Sequence, residues 1–120
     1  MGKQDGGRVL RSVVVADAAT SWDGVCLPAY PAGAPRLSVV RFTVEPRARL
    51  PLHRHPVINA GMVLQGELTV VAAGEERTFR AGEGIVEVVD RVRYGENRGS
   101  EPLELVMFYA GAEGLPLSGE

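Results

Sequence analysis

The sequence predicts an all-β fold, an antiparallel β-barrel or jelly roll, on three observations. Valine dominates the apolar residues of the 120-residue chain. Its 15 glycines and 8 prolines interrupt the chain at short intervals and leave little room for a helix. Where apolar and polar residues are ordered, they alternate at period two, and helical three-four spacing is sustained nowhere. Seven or eight short strands with turn signals between them imply a closed barrel or sandwich.

Residues 1–8 are a disordered leader, residues 9–112 a single domain, and residues 113–120 a loose tail. Residues 9–15 and 22–27 are weak strands, and the proline-flanked stretch 30–35 is a surface loop. The segment 37–44 alternates cleanly, with Val40, Phe42 and Val44 on one face and Arg41 and Thr43 on the other. Residues 62–71 read as two strands around a turn at Gln65 and Gly66. Ala73 and Gly74 form a hairpin turn into a strand over 75–80. Segments 85–89 and 103–109 complete the set. A barrel of this size has room in its mouth for one small ligand.

Thirteen basic residues against fifteen acidic ones give a net charge of −2, with both signs interspersed. No basic patch points to nucleic acid, and no apolar run or charged surface points to a membrane. The single cysteine, Cys26, cannot form an intrachain disulfide, fits a reducing cytoplasmic setting, and is expected as a buried, inert thiol.

The only two histidines, His53 and His55, stand two residues apart. In an extended segment such side chains project from the same face, so both imidazoles converge on one spot. That arrangement is the start of a transition-metal site or of an acid–base pair.

The spacing around this pair resembles that of a small single-domain bacterial cupin, and the likeness runs from about Trp22 to Gly111. His53, His55 and Gly66 fit the first cupin motif; Arg47 stands at its leading glycine and Asn59 at its glutamate. In the second motif Gly82 and Asn97 fit, while Arg93 takes the position of the third ligand histidine, Asp90 that of a glycine and Val88 that of a proline. Residues 55–61, 94–97 and 108–111 add a likeness to one group of small bacterial cupins. The resemblance implies the conserved β-barrel, a site in its lumen and a homodimer built through strand edges. The apolar segments 13–15 and 37–44 are candidates for that pairing.

The family's metal site, three histidines and a glutamate, is here reduced to two imidazoles. Arg93 has no lone pair to offer a metal. At about 4 Å a guanidinium would repel a dication by roughly 8 kcal/mol at an effective dielectric of 20. A divalent Fe, Mn, Ni or Zn site would therefore use His53, His55 and Glu87, with Glu96 as the second candidate for the carboxylate.

Without metal, Arg93 becomes an anion contact for a carboxylate or phenolate, with Tyr94 beside it at the mouth. His53 and His55 then move protons, and Asn59 donates to a developing oxyanion. Metal-free isomerisation, dehydration or cyclisation of a small metabolite is the leading expectation. A metal-dependent oxygenase-like cupin and a non-catalytic binding or sensing module are the alternatives. The bland reading of Arg93 is a surface ion pair with Asp90 or Glu96, and that of Trp22 is core packing.

Overall fold

The structure, a computed structural model, describes residues 7–50 and 55–117. Within them are seven strands: β1 Pro35–Val44, β2 Ile58–Gln65, β3 Glu67–Ala72, β4 Glu75–Arg80, β5 Gly84–Val86, β6 Arg93–Glu96 and β7 Leu103–Ala112. They form two antiparallel sheets, ordered β1-β7-β2-β5 and β4-β3-β6. The all-β barrel architecture is as the sequence predicts. No helix among the described residues is long and apolar enough to cross a membrane.

Alternation decides which residues fill the space between the sheets. Val40, Phe42 and Val44 of β1 turn inward, and so do Leu103, Leu105, Met107 and Tyr109 of β7. From the second sheet come Leu68, Val70 and Phe79. Burying an aliphatic or phenyl side chain of this kind contributes about 1.5–3 kcal/mol, so this interior supplies the main stabilisation of the domain.

The turns are those the sequence marks. Gly66 links β2 to β3 at φ +79°, and a Cβ there would lie 2.8 Å from the Pro102 carbonyl oxygen. Ala73 and Gly74 both take positive φ, as the tight β3–β4 hairpin requires.

Several expectations are corrected. Residues 9–15 form no strand, because nothing within the described chain pairs with them; Val9 and Leu10 are 84% and 90% exposed. Residues 22–27 hold a turn and a single bridge, Thr20 to Cys26, and Cys26 lies exposed on it rather than buried. The strand expected over 85–89 stops at Val86, since the chain then turns inward and reaches φ +56° at Asp90. Arg41 does lie on the face opposite Val40 and Phe42, where it points outward and pairs with Glu104 across the β1–β7 ladder. The tail is not loose as far as Leu117, whose side chain packs against the core.

A buried polar cluster as the candidate functional site

Five polar side chains converge in an interior that alternation would otherwise make wholly apolar. β2 turns Asn59 inward, β7 turns in its register partner Tyr109, and β6 turns in Arg93. Glu87 follows directly on β5, and His55 precedes β2. All five are buried, with Glu87 and Asn59 only 1% exposed.

Backbone hydrogen bonds fix the two irregular members. The Glu87 N–H donates to the Asn59 carbonyl at 3.0 Å, and the Asp90 N–H donates to the His55 carbonyl at 2.6 Å. The stretch 87–90 is thereby stitched along the start of β2, which carries Glu87 and His55 to the same spot.

Arg93 is the centre of the cluster. Its guanidinium donates through one terminal nitrogen to His55 Nε2, and its Nε lies 3.2 Å from Glu87 Oε2. On the far side of the imidazole, Nδ1 lies 2.9 Å from the Leu117 carbonyl oxygen. A carbonyl only accepts and a guanidinium only donates, so His55 carries its proton on Nδ1 and keeps the Nε2 lone pair. Burial pushes the Arg93 pKa down, and the neighbouring Glu87 carboxylate opposes that shift.

Glu87 is held by more than Arg93. Its Oε1 accepts from the Trp22 indole N–H and from the Val88 backbone N–H, both at 2.9 Å. Trp22 is brought there by its own N–H, which donates to the Val86 carbonyl, and by a clamp on its loop. In that clamp Arg91 grips both Asp23 oxygens and the Ser21 hydroxyl. The Tyr109 ring packs against His55 with centroids 5.4 Å apart. Burial raises the Tyr109 hydroxyl pKa, Arg93 opposes that shift, and Glu87 adds to it.

Among the described residues, two buried atoms in this cluster lack a hydrogen-bond partner, Asn59 Oδ1 and Arg93 Nε. The Nε is within ion-pair reach of Glu87 but makes no directed hydrogen bond to it. The Asn59 amide nitrogen donates to the Val57 carbonyl at 3.0 Å, which fixes the amide orientation. Asn59 Oδ1 is thereby left as an acceptor turned into the interior.

Of the residues singled out from the sequence, His55, Asn59, Glu87 and Arg93 come together, while His53 lies outside the described residues. Arg93 makes neither of the surface pairs considered for it. Tyr94 falls on the opposite face of β6 from Arg93, with the Arg49 guanidinium 4.1 Å over its ring, so it is not among the cluster residues. Glu96 shares that outer face and pairs with Arg98 and Arg49. Sequence reasoning missed Tyr109 and the polar role of Trp22. The signal for Tyr109 was its place in the β7 alternation; nothing near Trp22 in the sequence marked the contact to Glu87.

The two substituted motif glycines leave a mark on the backbone. Arg47 sits at φ +71° and Asp90 at φ +56°, both in the left-handed region that disfavours a Cβ. Gly66 and Gly82, which fit the motifs, are also at positive φ. All four positions keep the conformation that a glycine would supply.

Among the described residues, the side chains of the cluster as arranged do not fit a metal: no group of three histidine, cysteine, aspartate or glutamate side chains is placed to hold one. The two best donors, His55 Nε2 and Glu87 Oε2, both face the Arg93 guanidinium. The cation that this interior holds between them is that of Arg93.

Comparison with known proteins agrees with this architecture. A family model described as a Cupin domain matches residues 40–109. An oxalate oxidase structure is 28% identical with a TM-score of 0.57, over 62% of this chain and 42% of that one. The Cupin_2 domain of an XRE family transcriptional regulator from Enterobacter cloacae is 24% identical, TM-score 0.54, over 61% of this chain and 79% of that one. The polyketide cyclase RemF from Streptomyces resistomycificus is 20% identical, TM-score 0.60, over 73% of this chain and 62% of that one. The last two are likenesses of fold. This chain thus spans less than half of the oxalate oxidase chain. No curated protein matches the sequence.

Proposed function

The chain belongs to the Cupin domain family, and from that premise we propose that its barrel interior binds a small anionic metabolite, carboxylated or phenolic, and moves a proton on it without a metal. The observation that carries this reading is a pair of buried polar atoms that make no hydrogen bond within the described residues: Asn59 Oδ1, and Arg93 Nε, which has only its ion-pair contact to Glu87. A buried polar atom without a partner costs about 1–3 kcal/mol, and native interiors keep few of them. One is a cationic donor and the other a neutral acceptor. Together they suit a ligand with an anionic oxygen for Arg93 and a hydroxyl for Asn59.

His55 is the proton-transfer group. In the free protein its Nε2 lone pair is covered by Arg93. A ligand carboxylate or phenolate draws the guanidinium to itself, because a charge-assisted, two-pronged contact is stronger than one to a neutral imidazole. The uncovered Nε2 then takes a proton from a ligand C–H or O–H, and the electron pair stays on the ligand as an enolate or alkoxide beside Arg93. Return of the proton to another atom completes an isomerisation; its departure with hydroxide as water completes a dehydration. The Leu117 carbonyl keeps the ring oriented through Nδ1 throughout.

Thermal unfolding against a panel of small carboxylates and phenols tests the binding step, with salicylate as a probe that carries both groups. Wild type is stabilised by at least one member and Arg93→Lys, which keeps the charge but loses the fork, much less. A panel that stabilises neither protein, or both equally, contradicts the proposal.

A further inference from the structure

Resting on the anion-binding reading of the cluster, we propose that the cleft between the start of β1 and the segment after β7 is an outer site for the same class of small anion. Leu117 is the gate between that cleft and the buried cluster.

The chain past β7 doubles back on itself. The Glu113 N–H donates to the Ala34 carbonyl at 2.9 Å, and the Leu115 N–H donates to the Ala112 carbonyl at 3.1 Å. Between them Gly114 sits at φ +86°, a left-handed conformation that glycine adopts without strain. The turn lets Leu117 reach back to His55, whose ring packs on Tyr109 of β7. Leu115 is 41% exposed, whereas Leu117 packs against the core and its carbonyl accepts from His55 Nδ1. Among the described residues, the contacts that tie the segment to the interior past this turn belong to Leu117. A tie of one hydrogen bond and one half-buried side chain opens locally, with the strands intact.

Beneath the segment lies a cleft of about 360 Å³, room for one small molecule. Its walls include Arg36 and Ser38 of β1, Gly111 of β7, and the segment from Gly114 to Leu117. Leu117 is therefore a wall of the cleft and a partner of His55 at once. Arg36 and Ser38, two apart on one strand, project from the same face and give the cleft a cation and a hydroxyl. The Arg36 ion pair with Glu113 is 3.4 Å long and exposed on both sides, a weak contact that leaves other guanidinium donors to a carboxylate or phenolate. An anion thus meets exposed Arg36 first and buried Arg93 second, with Leu117 on the way. The His55 Nδ1 proton needs the Leu117 carbonyl while Nε2 moves a proton, so the gate lifts for passage and closes before the transfer.

Diethylpyrocarbonate, which acylates a neutral imidazole, tests the gate without any ligand. Mapped by mass spectrometry, its rate at His55 should rise about ten-fold in Leu117→Ala, with the far-UV circular dichroism unchanged. Leu64→Ala, which trims a leucine of similar exposure at the far end of β2, should leave that rate at the wild-type value. If Leu117→Ala loses its folded spectrum, Leu117→Val makes the same test with a smaller truncation. Salicylate, followed by stopped flow through the emission of Trp22, tests the passage. Leu117→Ala should speed association and dissociation about ten-fold each and leave the Kd nearly unchanged. Arg36→Ala should slow association roughly three-fold at low salt and not at high salt. Salicylate that binds neither wild type nor Leu117→Ala overturns the anion reading and the outer site with it, while the His55 rate still decides the gate. A His55 rate indifferent to Leu117→Ala, or raised equally by Leu64→Ala, overturns the gate. Salicylate association that Arg36→Ala leaves unchanged at low salt overturns the outer site.

Discussion

The indole N–H of Trp22 donates to Glu87 Oε1 at 2.9 Å, so that a carboxylate in the middle of the barrel is held by a residue 65 positions earlier in the chain. Trp22 lies outside the strands, yet its loop closes over the cluster through three contacts. These are the indole contact, the Trp22 N–H to the Val86 carbonyl, and the Arg91 grip on Asp23 and Ser21. The negative charge of Glu87 answers that of Arg93, and the Trp22 loop keeps Glu87 where it can do so.

Trp22→Phe removes the donor and keeps most of the ring. A hydrogen bond to a buried charged group contributes about 1.5–3 kcal/mol, and that loss is the expected destabilisation in urea unfolding. Trp22 is also the only tryptophan, so Glu87→Gln should shift its emission. A Trp22→Phe protein as stable as wild type, with emission unmoved by Glu87→Gln, would show that the contact does not hold in solution.

Arg47→Gly should stabilise the protein by about 0.5–1 kcal/mol. Glycine adopts the left-handed backbone at φ +71° without the Cβ penalty that arginine bears. The gain is offset in part by glycine's greater freedom in the unfolded chain and by loss of the Arg47 contact to the Arg98 carbonyl. Chemical denaturation of the two proteins measures the sign, and a clear loss of stability would mean that the arginine contact outweighs the backbone strain.

Asp23 supplies a pH dependence whose sign can be worked out. The hydrogen bond from Arg91 lowers its pKa from 3.8 to about 2, against the opposing effect of burial. A carboxyl lowered on folding contributes stability that is present above its unfolded pKa and lost as pH falls through the folded one. The window is therefore from pH 4 down to pH 2, and the contribution is about 2 kcal/mol. Asp23→Asn should cost about that much at pH 6 and nothing near pH 2. A difference between the two proteins that stays constant across this range would remove the Asp23–Arg91 clamp from the account.

Much of the fold was legible because strands write their pattern locally. The alternation of Val40, Phe42 and Val44, the Gly66 turn and the Ala73–Gly74 hairpin all appear where period two and turn chemistry put them. The segment 9–15 has the strand pattern but no strand, since pairing depends on a partner that the local sequence does not specify. The cluster was legible in part for the same reason. Asn59, Arg93 and His55 stood out at motif positions of the resemblance and Glu87 as a nearby substitute carboxylate, whereas Tyr94 was misjudged by one residue, which in a strand is the other face. The contact from Trp22 and the direction of the Asn59 amide depend on three-dimensional neighbours and leave no trace in spacing.

The account rests on Arg93 as the cation of this interior and the contact for an anion, and replacing it with histidine tests that most directly. Wild type, Arg93→Ala and Arg93→His would each be titrated calorimetrically with Zn²⁺ and with the best-stabilising carboxylate of the panel. Both variants should weaken the carboxylate by about 2–5 kcal/mol, since they remove the charge partner of a buried anion. Arg93→His alone should gain Zn²⁺, because a second imidazole then joins His55 and Glu87 and the repelling guanidinium is gone. Anion and metal affinities thus move in opposite directions in one variant. Stoichiometric Zn²⁺ on wild type, lost on His55→Ala, together with carboxylate affinity unchanged in Arg93→Ala, would contradict the account.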